Sequence, residues 1–206
     1  MQLPVSGNDP TTHGVLSSTW RESLAQPLAD ETMTTLQGLP PIENPDARAL
    51  VLGSMPGGMS LRTGRYYAHP QNLFWPFMGR LVGASPALPY DARLDVLRGA
   101  GIALWDVIAS CEREGSLDSA IRGAVANDFA GFFARHPSLR AVLFNGAAAE
   151  TTFMKQVPAD ALPAAVRRIR LPSTSPANRS IDEATKLRQW AGALDAAGVR
   201  VVALQS

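Results

Sequence analysis

Cysteine, histidine and lysine are scarce in this sequence, and long apolar runs are absent. The single cysteine, Cys111, excludes an intrachain disulfide and any cysteine-based metal site. The three histidines, His13, His69 and His136, are scattered along the chain, so we expect no metal ion and no other cofactor. No apolar run approaches the roughly 20 residues of a membrane span, and no basic segment precedes an apolar core near the N-terminus. These features predict a cytoplasmic protein without a membrane partner, and they indicate no obligatory protein partner.

Positive charge comes almost entirely from arginine, because Lys155 and Lys186 are the only lysines. The net charge is only +1, whereas nucleic-acid-binding proteins are often strongly basic. Arginine suits bidentate contacts with phosphate, although an arginine-rich composition also follows from genome bias. The composition therefore neither establishes nor excludes a nucleic-acid partner.

The 206 residues suit one domain with a tail better than two domains. Residues 1–36 show little pattern and are predicted to form a loosely attached N-terminal extension, whereas residues 37–206 are predicted to form the domain. Apolar runs and apolar residues at helical spacing then predict alternating strands and helices. The predicted strands cover residues 49–53, 102–108, 141–144, 166–171 and 199–204, and the predicted helices cover residues 72–82, 92–98, 127–135, 146–156 and 181–197, with a helical turn at 116–122. This alternation predicts a three-layer α/β/α sandwich around a central, mostly parallel sheet of four or five strands.

Four loops leave the carboxyl ends of the predicted strands, at residues 53–71, 109–118, 145–146 and 172–179. In open parallel sheets, ligands bind beyond these ends. We therefore expect the functional site to be assembled from these four loops.

The first segment of interest, residues 53–58, has the sequence Gly-Ser-Met-Pro-Gly-Gly and follows the first predicted strand. Its glycines allow the backbone to approach a ligand closely. It is not a Walker loop, because no Gly-Lys-Ser/Thr ends it. A tight turn explains the same composition equally well.

The second segment, residues 66–75, concentrates aromatic rings, a histidine and an asparagine just before a predicted helix. Aromatic rings can stack on an extruded base, and amide groups can hydrogen-bond to its edge. Core packing is the favoured interpretation for Phe74 and Trp75. Asn72 can equally serve as a helix cap, and His69 can be a structural histidine.

The third segment, residues 171–179, has the sequence Leu-Pro-Ser-Thr-Ser-Pro-Ala-Asn-Arg and joins a predicted strand to a predicted helix. Small hydroxyl residues and backbone amides at a helix N-terminus form a natural site for phosphate. Plain capping of the helix is the alternative.

Together these three segments resemble the uracil-DNA glycosylase superfamily, and most of all its hypoxanthine-DNA (deoxyinosine) glycosylase branch. Members of that branch typically show a Gly-Ser-Met-Pro-Gly loop, a Tyr-Tyr-Ala-His-Pro-x-Asn-x-Phe-Trp stretch and a Leu-Pro-Ser-Thr-Ser-Pro-Ala-Asn loop, and all three stand here in that order. Residues 101–107, 111–118 and 144–146 resemble further shared segments. The resemblance covers about residues 38–204.

The resemblance implies a monofunctional DNA glycosylase that flips a deaminated base, above all hypoxanthine, out of DNA and hydrolyses its N-glycosidic bond without a cofactor. Many superfamily members place a catalytic Asp or Asn where this sequence has Met55, whose thioether cannot orient water. In the branch resembled here, the catalytic position corresponds to Asn72. The implied base-binding residues are Ser54, Met55, Tyr66, Tyr67, His69 and Asn145, and the implied contacts to DNA phosphates are Ser173, Thr174, Ser175 and Asn178.

Two other functions fit the same loops and the same near-neutral charge. One is a nucleotide- or phosphate-binding module without catalysis, and the other is a hydrolase of free nucleosides. Turnover on DNA, nucleosides and nucleotides separates the three possibilities.

Overall fold

The computed structural model describes residues 35–202, all of which belong to one compact unit, Met33–Ser206. Strands and helices alternate along these residues. In chain order they are β1 (Thr35–Gln37), β2 (Ala49–Gly53), α1 (Gly58–Thr63), α2 (Phe74–Val82), α3 (Tyr90–Ala100), β3 (Ile102–Asp106), β4 (Ile108–Glu112), β5 (Arg122–Ala126), α4 (Phe129–Arg135), β6 (Ala141–Asn145), α5 (Ala147–Gln156), β7 (Arg167–Leu171) and α6 (Glu183–Ala196). Short 3₁₀ turns occur at Asp118–Ala120 and Ala159–Ala161.

Four parallel strands form the central sheet, in the order β3-β2-β6-β7. Val51 of β2 pairs with Leu104 of β3 on one side and with Leu143 of β6 on the other. The inner strands are apolar along their length because both faces of the sheet are covered. The carboxyl ends of all four strands therefore lie at one edge of the sheet, as the sequence predicts.

Two apolar cores, one on each face of this sheet, make the sandwich three-layered. One core packs α2, α3 and α6 against the sheet, with Phe74, Phe77 and Trp190 fully buried. The other packs α4 and α5, with Phe129 and Phe144 at its centre. Because alternate strand residues point to opposite faces, Val51 enters the first core and Leu50 the second. The predicted fold class is confirmed.

A second, antiparallel sheet of order β1-β4-β5 stands beside the first and was not predicted. The predicted strand 102–108 divides into β3 and β4 because its backbone changes partners at Val107. The Val107 N–H donates to the Gly53 carbonyl at 2.9 Å, and the Ile108 N–H donates to the Ser54 carbonyl at 3.0 Å. The chain thus passes directly from one sheet into the other beside the first loop.

Three further boundaries differ from the predicted ones. β1 includes residues 35 and 36, which the prediction assigned to the N-terminal extension; the rest of that extension lies outside the described residues. β5 begins at Arg122, the last residue of the predicted helical turn, and its other residues were not predicted to form a strand. Residues 199–202 do not form the predicted last strand: the Val202 N–H donates to the Leu81 carbonyl at 2.8 Å, so this stretch packs on α2. Residues 203 and 204 lie outside the described part.

The remaining predicted helices and strands are found within a few residues of their expected bounds. Within residues 35–202, no helix combines the length and the apolar character that crossing a membrane requires.

Candidate active site

A cavity of about 340 Å³ opens at the carboxyl edge of the parallel sheet. Each of the strands β2, β3 and β6 contributes its last residues to the wall, and the loop after β7 closes one side. Nine of the predicted site residues line it: Ser54, Met55, Tyr66, Tyr67, His69, Asn72, Asn145, Ser173 and Ser175. The topology therefore brings together segments that are more than 100 residues apart in sequence.

The loop after β2 is held from above by the segment that follows β4. The Ser54 hydroxyl donates to the Asp118 carboxylate at 2.5 Å, and the Gly58 N–H donates to the Ser116 hydroxyl at 2.9 Å. Arg113, itself buried, donates to the Pro56 carbonyl. Residues 113–118 thus fix the shape of this loop, and the Ser54 hydroxyl is already engaged by protein.

Met55 is only 6% exposed and packs on Ile108 and Cys111. Its side chain contributes an apolar part of the cavity wall.

Tyr66 is a structural residue rather than an open base contact. Its ring is 3% exposed, and its hydroxyl donates to the Pro40 carbonyl at 3.1 Å. Its backbone N–H donates to the Tyr90 hydroxyl at 2.8 Å, and its carbonyl accepts from the Trp75 indole at 2.9 Å. The predicted contact between Tyr66 and the base therefore cannot use its backbone N–H in this conformation, because that N–H already donates to Tyr90.

Tyr67 presents a supported aromatic ring to the cavity. The ring stacks on Phe74 with centroids 4.1 Å apart and an interplanar angle of 25°. Tyr67 has a φ of 53°, the left-handed region that L-residues other than glycine rarely adopt. Burial raises the pKa of the Tyr67 hydroxyl, the nearby Asp106 carboxylate raises it further, and the Asn145 amide opposes them. The hydroxyl therefore stays protonated.

Asn72 and His69 lie together on a tight turn at the cavity rim. The Asn72 N–H donates to the His69 carbonyl at 2.9 Å, and the Gln71 N–H donates to His69 Nδ1 at 3.2 Å. Asn72 Oδ1 accepts from the Phe74 N–H at 2.9 Å, next to the first turn of α2. This hydrogen bond supports the interpretation of Asn72 as a helix cap. An amide oxygen has two lone pairs, so one remains to receive another donor from the cavity.

Asn145 is oriented by Thr174 through a reciprocal pair of hydrogen bonds. Asn145 Nδ2 donates to the Thr174 hydroxyl at 2.9 Å, and the Thr174 N–H donates to Asn145 Oδ1 at 2.8 Å. Thr174 is fully buried, so the predicted contact between its hydroxyl and a DNA phosphate is wrong. Its hydroxyl instead positions the amide at the end of β6.

Ser173 and Ser175 line the cavity from the loop after β7 and are half-buried. The predicted helix N-terminus does not lie beside them, since α6 begins only at Glu183 and its first turn is capped by the Asp182 carboxylate. Asn178 does not reach the cavity, and its Oδ1 accepts from the Ser180 hydroxyl at 3.0 Å. The prediction of a phosphate site at a helix end therefore needs correction. The hydroxyl groups of Ser173 and Ser175 can still donate to a phosphate, but they do so without a helix dipole. The backbone N–H groups of Thr174, Ser175, Ala177 and Asn178 already donate within the protein.

Lys186 of α6 binds the loop after β7 through two backbone carbonyl groups. Its ammonium group donates to the Ser173 carbonyl at 2.9 Å and to the Asn178 carbonyl at 2.6 Å, and the residue is only 2% exposed. Lys155, by contrast, is exposed on α5. Neither lysine lines the cavity.

Sequence reasoning missed Asp106, the last residue of β3, which lines the cavity and is 4% exposed. Burial, with the charge of Asp118 as the second cause, raises the pKa of Asp106 to about 7, and Arg113 opposes the rise. The signal available in the sequence was a lone acidic residue inside an otherwise apolar strand prediction. Among residues 35–202, no cluster of three or more His, Cys, Asp or Glu is placed to hold a metal ion.

Comparison with known proteins points in one direction. The sequence profile of the uracil DNA glycosylase superfamily matches residues 40–194. A hypoxanthine DNA glycosylase of Methanosarcina barkeri is 40% identical over 111 residues, which are 53% of this chain and 70% of that protein. A hypoxanthine DNA glycosylase of Methanosarcina acetivorans is 38% identical over the same shares. A candidate uracil DNA glycosylase from Methanosarcina acetivorans, solved by solution NMR, superimposes with a TM-score of 0.66 at 30% identity, over 80% of this chain and 99% of that one.

Proposed function

The chain belongs to the uracil DNA glycosylase superfamily, and from that membership we propose that it is a monofunctional DNA glycosylase that releases hypoxanthine from deoxyinosine in DNA. The observation that carries the proposal is the cavity at the carboxyl edge of the sheet, where Tyr67, Asn72 and Asn145 meet. Its volume of about 340 Å³ lies in the range of small-molecule sites. Such a cavity takes a base only after the base has left the helical stack.

Breaking the bond between a base and its sugar builds positive charge on the sugar and negative charge on the departing base. Catalysis then requires a positioned water molecule and donors aimed at the base. In the proposed mechanism, the free lone pair of Asn72 Oδ1 orients the water. An amide is a poor base, so its contribution is positioning.

The Tyr67 ring, backed by Phe74, offers a stacking surface for the extruded base. Asn145 presents its amide to the base edge, held by its pair with Thr174. Ser173 and Ser175 provide hydroxyl groups for the phosphates that flank the flipped nucleotide. His69 at the rim is exposed and completes the proposed base-side wall.

The matched pair Asn72→Ala and Asn72→Asp tests the proposed role of Asn72. We expect Asn72→Ala to lower the single-turnover rate on deoxyinosine DNA by roughly 10²–10⁴-fold, the range for a positioned proton-transfer or water-orienting group. DNA affinity falls much less, because phosphate contacts supply most of it. Loss of the contact to the Phe74 N–H costs about 0.5–2 kcal/mol of stability, and Asp restores that contact. A folded Asn72→Ala protein that releases hypoxanthine within a few-fold of the parent rate would remove Asn72 from the mechanism.

Substrate class is tested by strand scission after alkaline treatment, with hypoxanthine, uracil or xanthine in otherwise identical duplexes. We expect hypoxanthine to be released fastest and uracil slowly or not at all. Release of hypoxanthine from free deoxyinosine, measured by chromatography of the base, identifies a nucleoside hydrolase. DNA binding without any release identifies a binding module. Faster release of uracil than of hypoxanthine would overturn the ranking.

We propose that the enzyme has no lyase step, because neither of its two lysines is placed to attack the sugar. A lyase needs an amine that forms a Schiff base with the sugar. Lys155 is exposed on α5 away from the cavity, and the Lys186 amine is buried and donates to two carbonyl groups. Trapping of an enzyme–DNA adduct with borohydride would contradict this part of the proposal.

A further inference from the structure

Asp106 is a buried carboxyl group that the mechanism above does not use. It ends β3 at the cavity wall, and its Oδ2 is buried and has no hydrogen-bond partner among residues 35–202. A Cβ atom on Gly53 would overlap Asp106 Oδ1, so glycine at that position leaves room for the carboxyl group. A buried polar atom left without a partner is costly and calls for a functional explanation. Here the unpartnered oxygen belongs to a residue that lines the candidate active site.

The groups around Asp106 keep its carboxyl group ready to hold a proton. Asp118 faces it from the 3₁₀ turn with a like charge, whereas Arg113 faces it from the segment after β4 with the opposite charge. The Tyr66 and Tyr67 hydroxyls lie near it from the loop before α2, and the nearby Asp106 carboxylate contributes to the raised pKa of each. Burial is the largest influence and brings the pKa of Asp106 to about 7. A general acid works best with a pKa near the working pH.

We propose that Asp106 is a second catalytic residue, which gives its proton to a ring nitrogen of the departing purine. This inference rests on the proposed glycosylase function. As the C1′–N9 bond breaks, its electron pair goes to the base, and the Asp106 proton passes to N7 or N3. The base leaves neutral, and Asp106 is left as a carboxylate. Water adds its oxygen to C1′ and releases a proton to solvent, from which Asp106 is protonated again.

Protonation of the base by Asp106 gives the enzyme a preference for purines over uracil, which Met55 and Asn72 do not explain. A purine carries acceptor nitrogens outside the bond that breaks, so protonation can stabilise it as it leaves. Uracil offers carbonyl oxygens but no acceptor ring nitrogen. Loss of Asp106 is therefore expected to damage purine release specifically.

The experiment measures single-turnover rates at saturating enzyme between pH 5 and pH 9 for the parent and for Asp106→Asn. Because the protonated form is active, the parent rate on deoxyinosine DNA falls about tenfold per pH unit above pH 7. Asp106→Asn lowers the rate at pH 6 by roughly 10²–10⁴-fold and removes this pH dependence. In matched duplexes containing 7-deaza- or 3-deazahypoxanthine, the substrate that lacks the protonated nitrogen is released slowly by the parent, and Asp106→Asn slows it little further. The two analogues thus tell N7 from N3.

Asp118→Asn is the second variant. It keeps an acceptor for the Ser54 hydroxyl but removes the like charge beside Asp106, so the falling limb of the profile moves to lower pH. The melting temperature of Asp106→Asn shows whether that variant folds. If it does not fold, the shift in the Asp118→Asn profile still tests the proposal.

Two results overturn the inference: a parent rate that is flat or rises through pH 7, or a folded Asp106→Asn protein with the parent profile. Failure of the proposed function looks different, because the parent then releases no hypoxanthine at any pH.

Discussion

Replacing Lys186 by Met should loosen the loop after β7 while leaving the shape of the core nearly unchanged. Met has similar length and no charge. The change removes two charge-assisted hydrogen bonds, at 2.9 Å to the Ser173 carbonyl and 2.6 Å to the Asn178 carbonyl. Each such bond contributes about 1.5–3 kcal/mol. Part of that is offset, because Met does not bear the cost of burying an ammonium group, which already lowers the pKa of Lys186.

The net loss expected for Lys186→Met is about 2 kcal/mol in the free energy of unfolding. For a chain of this size it corresponds to a fall of about 4–8 °C in Tm. Lys155→Met is the matched control, since it makes the same chemical change at an exposed position of α5 and is expected to cost less than about 0.5 kcal/mol. Urea unfolding and thermal melts of both variants, in one buffer, give the comparison.

Function should suffer beyond stability, because the two carbonyls that Lys186 joins bracket the loop that carries Ser175. We expect Lys186→Met to slow hypoxanthine release by about tenfold at a temperature where both variants are folded, which corresponds to about 1.4 kcal/mol of lost positioning. If Lys186→Met were as stable as Lys155→Met and equally active, the idea that this buried ammonium organises the loop would be refuted.

Three further predictions concern the walls of the cavity. Thr174→Val leaves the Asn145 amide without its acceptor, so we expect urea unfolding to show a loss of about 1–3 kcal/mol in stability, and base release to become slower. Thr174→Ser keeps the hydroxyl group and should keep the release rate, so equal rates for both variants would contradict the positioning role. The pKa of Asp106 in the folded state is about 7, above its ordinary value, so the folded state holds the proton more tightly than the unfolded state. As the pH rises from about 4 to 7, the unfolding free energy of the parent should therefore fall relative to that of Asp106→Asn, by at most about 4 kcal/mol. A difference between the two proteins that does not change with pH would argue against the raised pKa. Gly53→Ala should lower the free energy of unfolding by about 1–3 kcal/mol, because its Cβ would meet the Asp106 carboxyl group. Gly99→Ala in α3, with open space around it, is the control and should be neutral or stabilising by up to about 1 kcal/mol in the same thermal melts.

The parallel sheet could be predicted from the sequence because its strands are short and apolar on both faces. Where such apolar runs alternate with segments of helical spacing, a buried parallel strand is the structure that they favour. The second sheet could not be predicted in the same way. Residues 102–108 look like one strand in the sequence, and residues 109–112, which belong to β4, were predicted to lie in a loop. The division at Val107 depends on hydrogen bonds to Gly53 and Ser54, which are about 50 residues away. β5 is largely exposed and lacks an apolar pattern.

At the site, the sequence predicted the segments better than the roles of single side chains. Proximity followed from the topology, since residues at the carboxyl ends of parallel strands share an edge. Which groups remain free did not follow: Thr174 is fully buried on Asn145, and the Tyr66 amide is bound by Tyr90. A single acidic residue in an apolar run indicated that Asp106 is unusual, but the sequence did not show that its carboxyl group lies beside Asp118 and Arg113 at the cavity wall.

The backbone of Tyr67 carries a consequence for directed evolution of this protein. Among residues 35–202 it is the one non-glycine residue with a positive φ, a conformation that costs of order 1–3 kcal/mol for a bulky side chain. Glycine or asparagine at that position would relax the turn and remove the ring that faces the cavity. Either change would also remove the stacking contact with Phe74, and truncation of a packed aromatic ring costs about 3–5 kcal/mol, more than the backbone strain. A library screened for heat resistance and a library screened for base release should therefore both keep an aromatic residue at position 67.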